Sequence, residues 1–272
     1  MNVRIDARRR FPQESDMSRS HPISPEEKER FGANAWYVES LYDSYRADPS
    51  SVPERWRAYF SGESETSAEP TTSRPTPKPA PDVAIHEDDE TAAISGSAAK
   101  ILENMETSLT VPVATSYRAI PVKLLEESRR VVNHFLRKNN RGKISFTHLI
   151  AWAIVKAAKL HPAMNNAYAL VDGKPKLVKR AHINLGLAVD VERRDGSRSL
   201  LVPNVKGCER TTFDEFRDAY DEIVRKTLKG TIDPSEFYGA TISLTNPGML
   251  GTLASIPRLM TGQGAIIAAG AI

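Results

Sequence analysis

Apolar positions along this chain follow different rhythms, and each change of rhythm marks a part. Residues 1–32 are polar and charged without a period, which predicts a disordered N-terminus. Val38, Leu41, Tyr42 and Tyr45 then recur at helical spacing, with Trp36 just ahead. Asn34 is placed to cap this helix and Asp48-Pro49 to end it. Ser51-Val-Pro-Glu54 reads as a capping box opening a second short helix that carries Trp56, Tyr59 and Phe60. Two short helices cannot bury so many rings on each other. Residues 33–60 are therefore expected to dock on another surface, a partner's in preference to the chain's own. Residues 61–92 carry Pro70, Pro75, Pro77, Pro79 and Pro81 with no apolar period, the pattern of a mobile linker.

Periodicity returns at Ala92–Leu109, a helical stretch, and residues 93–272 read as one α/β domain. A helix opens at Pro121, with Leu124, Leu125, Val131, Val132, Phe135 and Leu136 as its apolar face, and Asn139-Asn-Arg-Gly142 ends it. Thr147 is expected to cap the next helix, whose inner side would be Leu149, Ile150, Ala153, Ile154, Ala157 and Leu160. Strands flank the hairpin signals Asp172-Gly173 and Asp195-Gly196, and Ile183–Val191 reads as one long strand returning through Ser199–Val205. Thr212-Phe-Asp-Glu215 is a capping box for a helix with Phe213, Phe216, Tyr220, Ile223, Val224 and Leu228 inward, closed by Gly230. Helices beside a mixed sheet built from hairpins make a two-layer α/β domain. Residues 264–272 read as an apolar strand at the end of the chain, so the sequence is expected to be part of a longer protein.

Composition sharpens this picture in a few places. At 40% hydrophobic the 272 residues can build a real core. The net charge of +3 is spread over both signs, so no patterned basic face and no nucleic-acid partner is expected. Cys208 is the only cysteine, which excludes an internal disulfide and a Cys-based metal site. No apolar run is long enough to span a bilayer. The start lacks an apolar signal region, and Asp6, Glu14 and Asp16 argue against a transit peptide, so a cytoplasmic location is expected.

Candidate chemistry concentrates in Gly239-Ala-Thr-Ile-Ser-Leu-Thr-Asn-Pro-Gly-Met-Leu-Gly251. Thr241–Thr245 reads as a strand that breaks at Asn246-Pro-Gly248. The Thr245 hydroxyl thus stands at the mouth of a turn, where one donor can be aimed at a reacting atom. Ser243 and Thr245 as ordinary strand residues is the plainer alternative. Arg193, Arg194 and Arg198 lie at a hairpin tip, where they would meet a substrate carboxylate or simply water.

Two stretches carry a resemblance. Ala33 through Phe60, with both aromatic clusters at matching spacing, resembles the N-terminal segment of 2-oxoglutarate dehydrogenase decarboxylase subunits, which attaches them to an acyltransferase core. Residues 108–272 resemble the catalytic domain of 2-oxo acid dehydrogenase acyltransferases, a chloramphenicol-acetyltransferase-like fold. The match rests on Ile183–Asp190 with Leu200–Pro203, on Gly239–Gly248 and on Gly264–Gly270. The two together look like the N-terminal part of the multifunctional 2-oxoglutarate decarboxylase/dehydrogenase family of the tricarboxylic acid cycle.

The resemblance implies succinyl transfer between dihydrolipoamide and coenzyme A. A histidine would deprotonate the coenzyme A thiol, and a hydroxyl, by motif position Thr245 with Ser243 second, would bind the tetrahedral oxyanion. It also implies a homotrimer or higher oligomer, working with a lipoyl-bearing acyltransferase and dihydrolipoamide dehydrogenase. Arg118 matches an arginine near the start of the family domain and is the substrate-binding candidate. The family's base lies in a His-x-x-x-Asp-Gly motif. None of His21, His86, His134, His148, His161 or His182 is followed four residues on by Asp, so the chain alone is expected to be inactive. Lipoyl-lysine, thiamine diphosphate, Walker A and Rossmann patterns are absent; the resemblance implies that thiamine diphosphate and Mg belong to sequence outside these residues. The alternative function is a non-catalytic assembly module.

Overall fold

The computed structural model describes residues 24–61, 84, 86, 88–94, 96–192 and 198–272. Most of the expected disordered N-terminus, most of the expected linker, and Arg193 and Arg194 lie outside the described residues. The N-terminal expectation fails at its end, because Pro25–Phe31 is a helix (α1). Ser24 and Glu27 exchange capping bonds at its start, and Phe31 is buried at its close.

Helices α2 (Ala35–Ala47) and α3 (Glu54–Ser61) follow. The expected Ser51 box does not form; Ser51 closes a 3₁₀ turn and donates to the carbonyls of Ser44 and Asp48. Asn34 also departs from its expected role. Its side chain caps nothing locally and reaches instead to the far sheet. Asn34 Nδ2 donates to Val202 O at 2.9 Å and Phe237 O at 2.9 Å, and Val202 N donates to Asn34 Oδ1 at 2.7 Å. A side-chain amide thus pairs with a strand edge as another strand would. Trp56 Nε1 donates to Ile232 O at 3.0 Å, and its ring is fully buried among Phe31, Tyr37 and Phe237. The aromatic helices are therefore packed on their own chain, in one core with Ala151, Val155, Leu185, Phe216 and Ile242.

Helix α4 (Gly96–Ser108) leads through an exposed extended stretch to α5 (Lys123–Lys138). The apolar face expected for α5 is only partly used: Leu136 is buried, while Leu124, Val131 and Phe135 are exposed. Helix α6 (Phe146–Leu160) is capped by Ser145, not Thr147, and its buried side is His148, Ala151, Val155 and Ala158. The expected inner side fails because apolar residues spread well beyond one face of this helix, so periodicity chooses poorly between faces. Polar contacts choose it. His148 closes the capping box with Ser145 and meets Asp221 on α7 at 2.9 Å. Helix α7 (Phe213–Lys229) begins at the Thr212–Glu215 capping box and ends at left-handed Gly230, both as expected, although Leu228 is exposed.

The strands form a four-stranded mixed sheet and two hairpins. β1 (Ala167–Val171) and β2 (Lys174–Val178) pair across Asp172-Gly173, both with positive φ. The long strand expected over Ile183–Val191 appears as β3 (Leu185–Leu187) and β4 (Val189–Glu192). Its return is split into β5 (Arg198–Leu201) and β6 (Asn204–Val205). One antiparallel register runs through both halves, and the ladder is interrupted beside Pro203, which has no N–H to give. β7 (Ile242–Thr245) lies parallel between β3 and β8 (Ala265–Ala268), in the order β6-β3-β7-β8. Helices on one side of this sheet complete the two-layer α/β architecture.

Candidate functional site

Strand alternation puts Ile242 and Leu244 on one face of β7 and Ser243 and Thr245 on the other. Ile242 and Leu244 are buried in the main core. The two hydroxyl residues, though on one face, meet different fates. Ser243 is buried, and its Oγ donates to Gln263 Oε1 at 2.7 Å. It lies over Gly186 of β3: a Cβ on that glycine would stand 2.7 Å from Ser243 Oγ. The Ser243 hydroxyl is thus committed inside the sheet, where it joins β7 to the segment before β8.

Thr245 ends the strand and is half-buried. Its carbonyl accepts from Ala269 N at 2.9 Å, which fixes its backbone against the continuation of β8. The turn beyond it is packed backbone to backbone. Gly248 N donates to Ala269 O at 3.1 Å, and a Cβ on Gly248 would fall 2.2 Å from the Gly270 carbonyl, so only glycine fits. Between strand and turn, Asn246 Nδ2 donates to Thr147 Oγ1 at 2.9 Å. On the neighbouring α7, the Tyr220 ring stacks near His148 of α6, with centroids 4.1 Å apart. Burial, with Asp221 adding to it, pushes the Tyr220 phenol up to about 12, so it stays neutral near pH 7. A hydrogen bond therefore ties the first turn of α6 to the residue next to Thr245. The sequence placed Thr147 at a cap and did not single out Asn246 for this role. The signal was a polar residue in the first turn of an otherwise apolar helix.

The other candidates stand apart. Arg118 is exposed, and its guanidinium donates to the neighbouring Tyr117 carbonyl at 2.8 Å. No described contact joins it to Thr245 or Ser243. Arg198 is paired with Asp190 across its own hairpin, which raises its already high pKa. His148 uses Nδ1 toward Ser145 and Nε2 toward Asp221, leaving no ring nitrogen for a substrate. His182 pairs with Glu209 at 2.9 Å. His134 and His161 are exposed. Among the described residues, no histidine is hydrogen-bonded to Thr245 or Ser243. The site can therefore offer a hydroxyl at a rigid turn, while the described histidines supply no base beside it.

Comparison with known proteins adds the context. The profile described as "2-oxoacid dehydrogenases acyltransferase (catalytic domain)" matches residues 86–272, and that described as "2-oxoglutarate dehydrogenase N-terminus" matches residues 30–66. The chain is 41% identical to a multifunctional 2-oxoglutarate metabolism enzyme of Mycolicibacterium vanbaalenii, over 89% of this chain and 24% of that protein. It is 40% identical to a 2-oxoglutarate dehydrogenase E1/E2 component of Corynebacterium glutamicum, over 89% and 23%. It spans about a quarter of the length of these relatives. Among solved structures, a probable dihydrolipoamide acetyltransferase of Listeria monocytogenes superposes with a TM-score of 0.59, covering 69% of this chain and 76% of that one. The cubic core of the pyruvate dehydrogenase multienzyme complex superposes with a TM-score of 0.56 over 69% and 76%. Both structures are 21% identical to the chain, so the likeness is one of fold.

Proposed function

The chain belongs to the 2-oxoacid dehydrogenase acyltransferase family, and from that premise we propose that it supplies the acyl-transfer part of a longer 2-oxoglutarate dehydrogenase. The reaction is transfer of a succinyl group between dihydrolipoamide and coenzyme A. The thiol of one loses its proton to a base, and its thiolate adds to the thioester carbonyl. The tetrahedral oxyanion accepts a hydrogen bond from the Thr245 hydroxyl, then collapses and expels the other thiolate, which takes up a proton. The observation that carries this reading is the fixed position of Thr245, at a strand end held by the Ala269 bond on one side and the Asn246–Thr147 bond on the other. Preorganised donors stabilise developing charge without reorganising, which is where they gain most. Ser243, bonded to Gln263, is the residue that shapes the strand.

Among the described residues no histidine is hydrogen-bonded to Thr245, so the chain by itself is proposed to be without turnover. Near neutral pH a free thiol is mostly protonated, and a positioned base adds roughly 100- to 10,000-fold. The test is succinyl transfer from succinyl-coenzyme A to dihydrolipoamide, comparing the 272-residue chain, a longer protein carrying the His-x-x-x-Asp-Gly motif, and its Thr245→Ala variant. The expected results are background exchange, turnover, and a loss of about 100- to 1,000-fold in turnover respectively. Equal activity of the short chain and the longer protein would contradict the missing base.

A second reading, assembly, has its own observation. Met249, Leu250, Leu253 and Ile256 are 76–81% exposed just beyond the turn. Apolar side chains so placed suit contact between copies in a homotrimer or larger core. Sedimentation would check it: a monomer at micromolar concentration counts against it. A cytoplasmic location is proposed with both readings; among the described residues no helix is long and apolar enough to cross a membrane.

A further inference from the structure

Lys206 follows β6 directly, on a backbone tied down on its far side. Gly207 takes a left-handed conformation, and its N–H donates to Asn184 Oδ1 at 2.9 Å. Cys208 N donates to Ile183 O at 2.8 Å. Lys206 leaves this turn as an exposed residue, with its ammonium 4.7 Å from the centroid of the Tyr238 ring. A second cation uses the same ring: the Arg30 guanidinium of α1 lies 4.0 Å from that centroid. One aromatic ring thus holds two like charges together, attracting each through its π-system while they repel one another.

The carboxylates that act on Lys206 are engaged elsewhere. Glu236 is bonded to Lys226 at 2.6 Å, while Asp233 accepts from Ser235 N at 2.9 Å and faces Arg55 at 3.9 Å. Partial burial of the ammonium, then the Arg30 charge, lowers the Lys206 pKa from the ordinary lysine value, and Asp233 and Glu236 only partly offset this. An accessible lysine beside another cation gives up its proton more readily than usual, which makes its amine a nucleophile.

We infer that Lys206 is a covalent modification site, acylated on Nζ by coenzyme A thioesters, and by those of dicarboxylic acids first. The ammonium releases one proton to water, and the amine nitrogen adds to the thioester carbonyl. A C–N bond forms, the C–S bond breaks, and the departing thiolate takes up one of the two protons left on nitrogen. The products are an amide and free coenzyme A. A succinyl donor is favoured because its free carboxylate is drawn to Arg30 on the same ring. The amide removes the like charge beside Arg30, and a succinyl group puts a carboxylate there. Phe31 of α1 also packs edge-on against Tyr238, with centroids 5.6 Å apart, so acylation should tighten α1 on the sheet edge it covers. Acylation here does not depend on the transfer reaction proposed above, because the thioester comes from solution.

The test uses the protein at its full natural length, without dihydrolipoamide, so that no transfer consumes the thioester. It is incubated with succinyl- or acetyl-coenzyme A between about pH 7 and 9, and site-resolved mass spectrometry follows each lysine. At the lower pH values Lys206 should react about fivefold or more faster than the exposed Lys174 and Lys176 of the β1–β2 hairpin. Relative to those two lysines, Lys206 should favour the succinyl over the acetyl donor by about threefold or more. Arg30→Gln lets the amine hold its proton to higher pH and removes the carboxylate's partner. It should slow Lys206 by about threefold or more and erase the succinyl preference. Succinylation should raise the melting temperature of the parent but not of Lys206→Arg, which keeps the cation over Tyr238 and has no amine to acylate. Lys206 reacting no faster than Lys174 and Lys176, or at a rate insensitive to Arg30→Gln, would overturn the proposal. So would a succinyl preference no greater at Lys206 than at the hairpin lysines.

Discussion

The outer edge of β6 and the C-terminal end of β7 belong to the same sheet and are finished in opposite ways. At the β6 side, the chain's own N-terminal helices close the edge. Asn34 occupies the free N–H and C=O of Val202, and Trp56 is fully buried with its indole N–H bonded to Ile232. At the β7 end the backbone is held as firmly, by Ala269 and by the Asn246–Thr147 bond, but Thr245 stays half-buried and Met249 and Leu250 beyond it are exposed. Polar groups at the first edge are consumed by structure. At the second, the backbone of Thr245 is held while its hydroxyl has no hydrogen-bond partner among the described residues. Rigid support beneath an unspent donor is what transition-state stabilisation requires.

The comparison breaks most visibly if the first edge is damaged. Trp56→Ala should cost about 3–5 kcal/mol, the range for large aromatic truncations in cores, and denaturant titration will measure it. A cost below 1 kcal/mol would mean that the N-terminal helices are not part of the core. Asn34→Ala leaves the half-buried Val202 N–H without its acceptor and should cost about 1–3 kcal/mol in the same titration. Gly186→Ala crowds Ser243 and Val202 and should cost about 1–3 kcal/mol. Part of that loss should return in the double variant Gly186→Ala/Ser243→Ala, as a double-mutant cycle would show, because the removed hydroxyl makes room. The smallest effect sharpens the second region. Thr147→Val removes the acceptor of Asn246 and should lower stability by about 1 kcal/mol or less. In the longer protein it should lower kcat more than it raises KM, with Thr147→Ser restoring it; unchanged kcat would make the bond merely structural.

How much of this was legible in the sequence depended on whether local chemistry or distant contact decided each residue. The Thr212–Glu215 box, the Asp172-Gly173 hairpin and the strand–turn at Thr245–Gly248 were readable because neighbours in sequence determine them. Helix α6 was misoriented because Ala, Ile, Val and Trp surround it. A tie between His148 and Asp221, 73 residues apart, sets its rotation. Asn34 looked like a helix cap, yet its partners lie 168 and 203 residues away. The aromatic helices signalled a docking surface correctly in kind, since they do pack on a sheet edge. Sequence alone could not say that the edge is their own. The basic stripe of α5, with Arg129, Arg130 and Arg137, was hidden because an overall charge of +3 averages over it. The turn already put Thr245 ahead of Ser243 in the sequence, but only the fold shows that Gln263, twenty residues on, takes the Ser243 hydroxyl.

The central claim is that Thr245, and not Ser243, contributes its hydroxyl to the reaction. The most direct measurement is the succinyl-transfer rate of the longer protein carrying Thr245→Val, Thr245→Ser or Ser243→Ala, with melting temperatures taken in parallel. Thr245→Val keeps the shape and deletes the hydroxyl, and should lower kcat by about 100- to 1,000-fold without a change in melting. Thr245→Ser should stay within about tenfold of the parent, because the donor remains. Ser243→Ala should act on stability first. Full activity in Thr245→Val, or a loss confined to Ser243→Ala, would contradict the account.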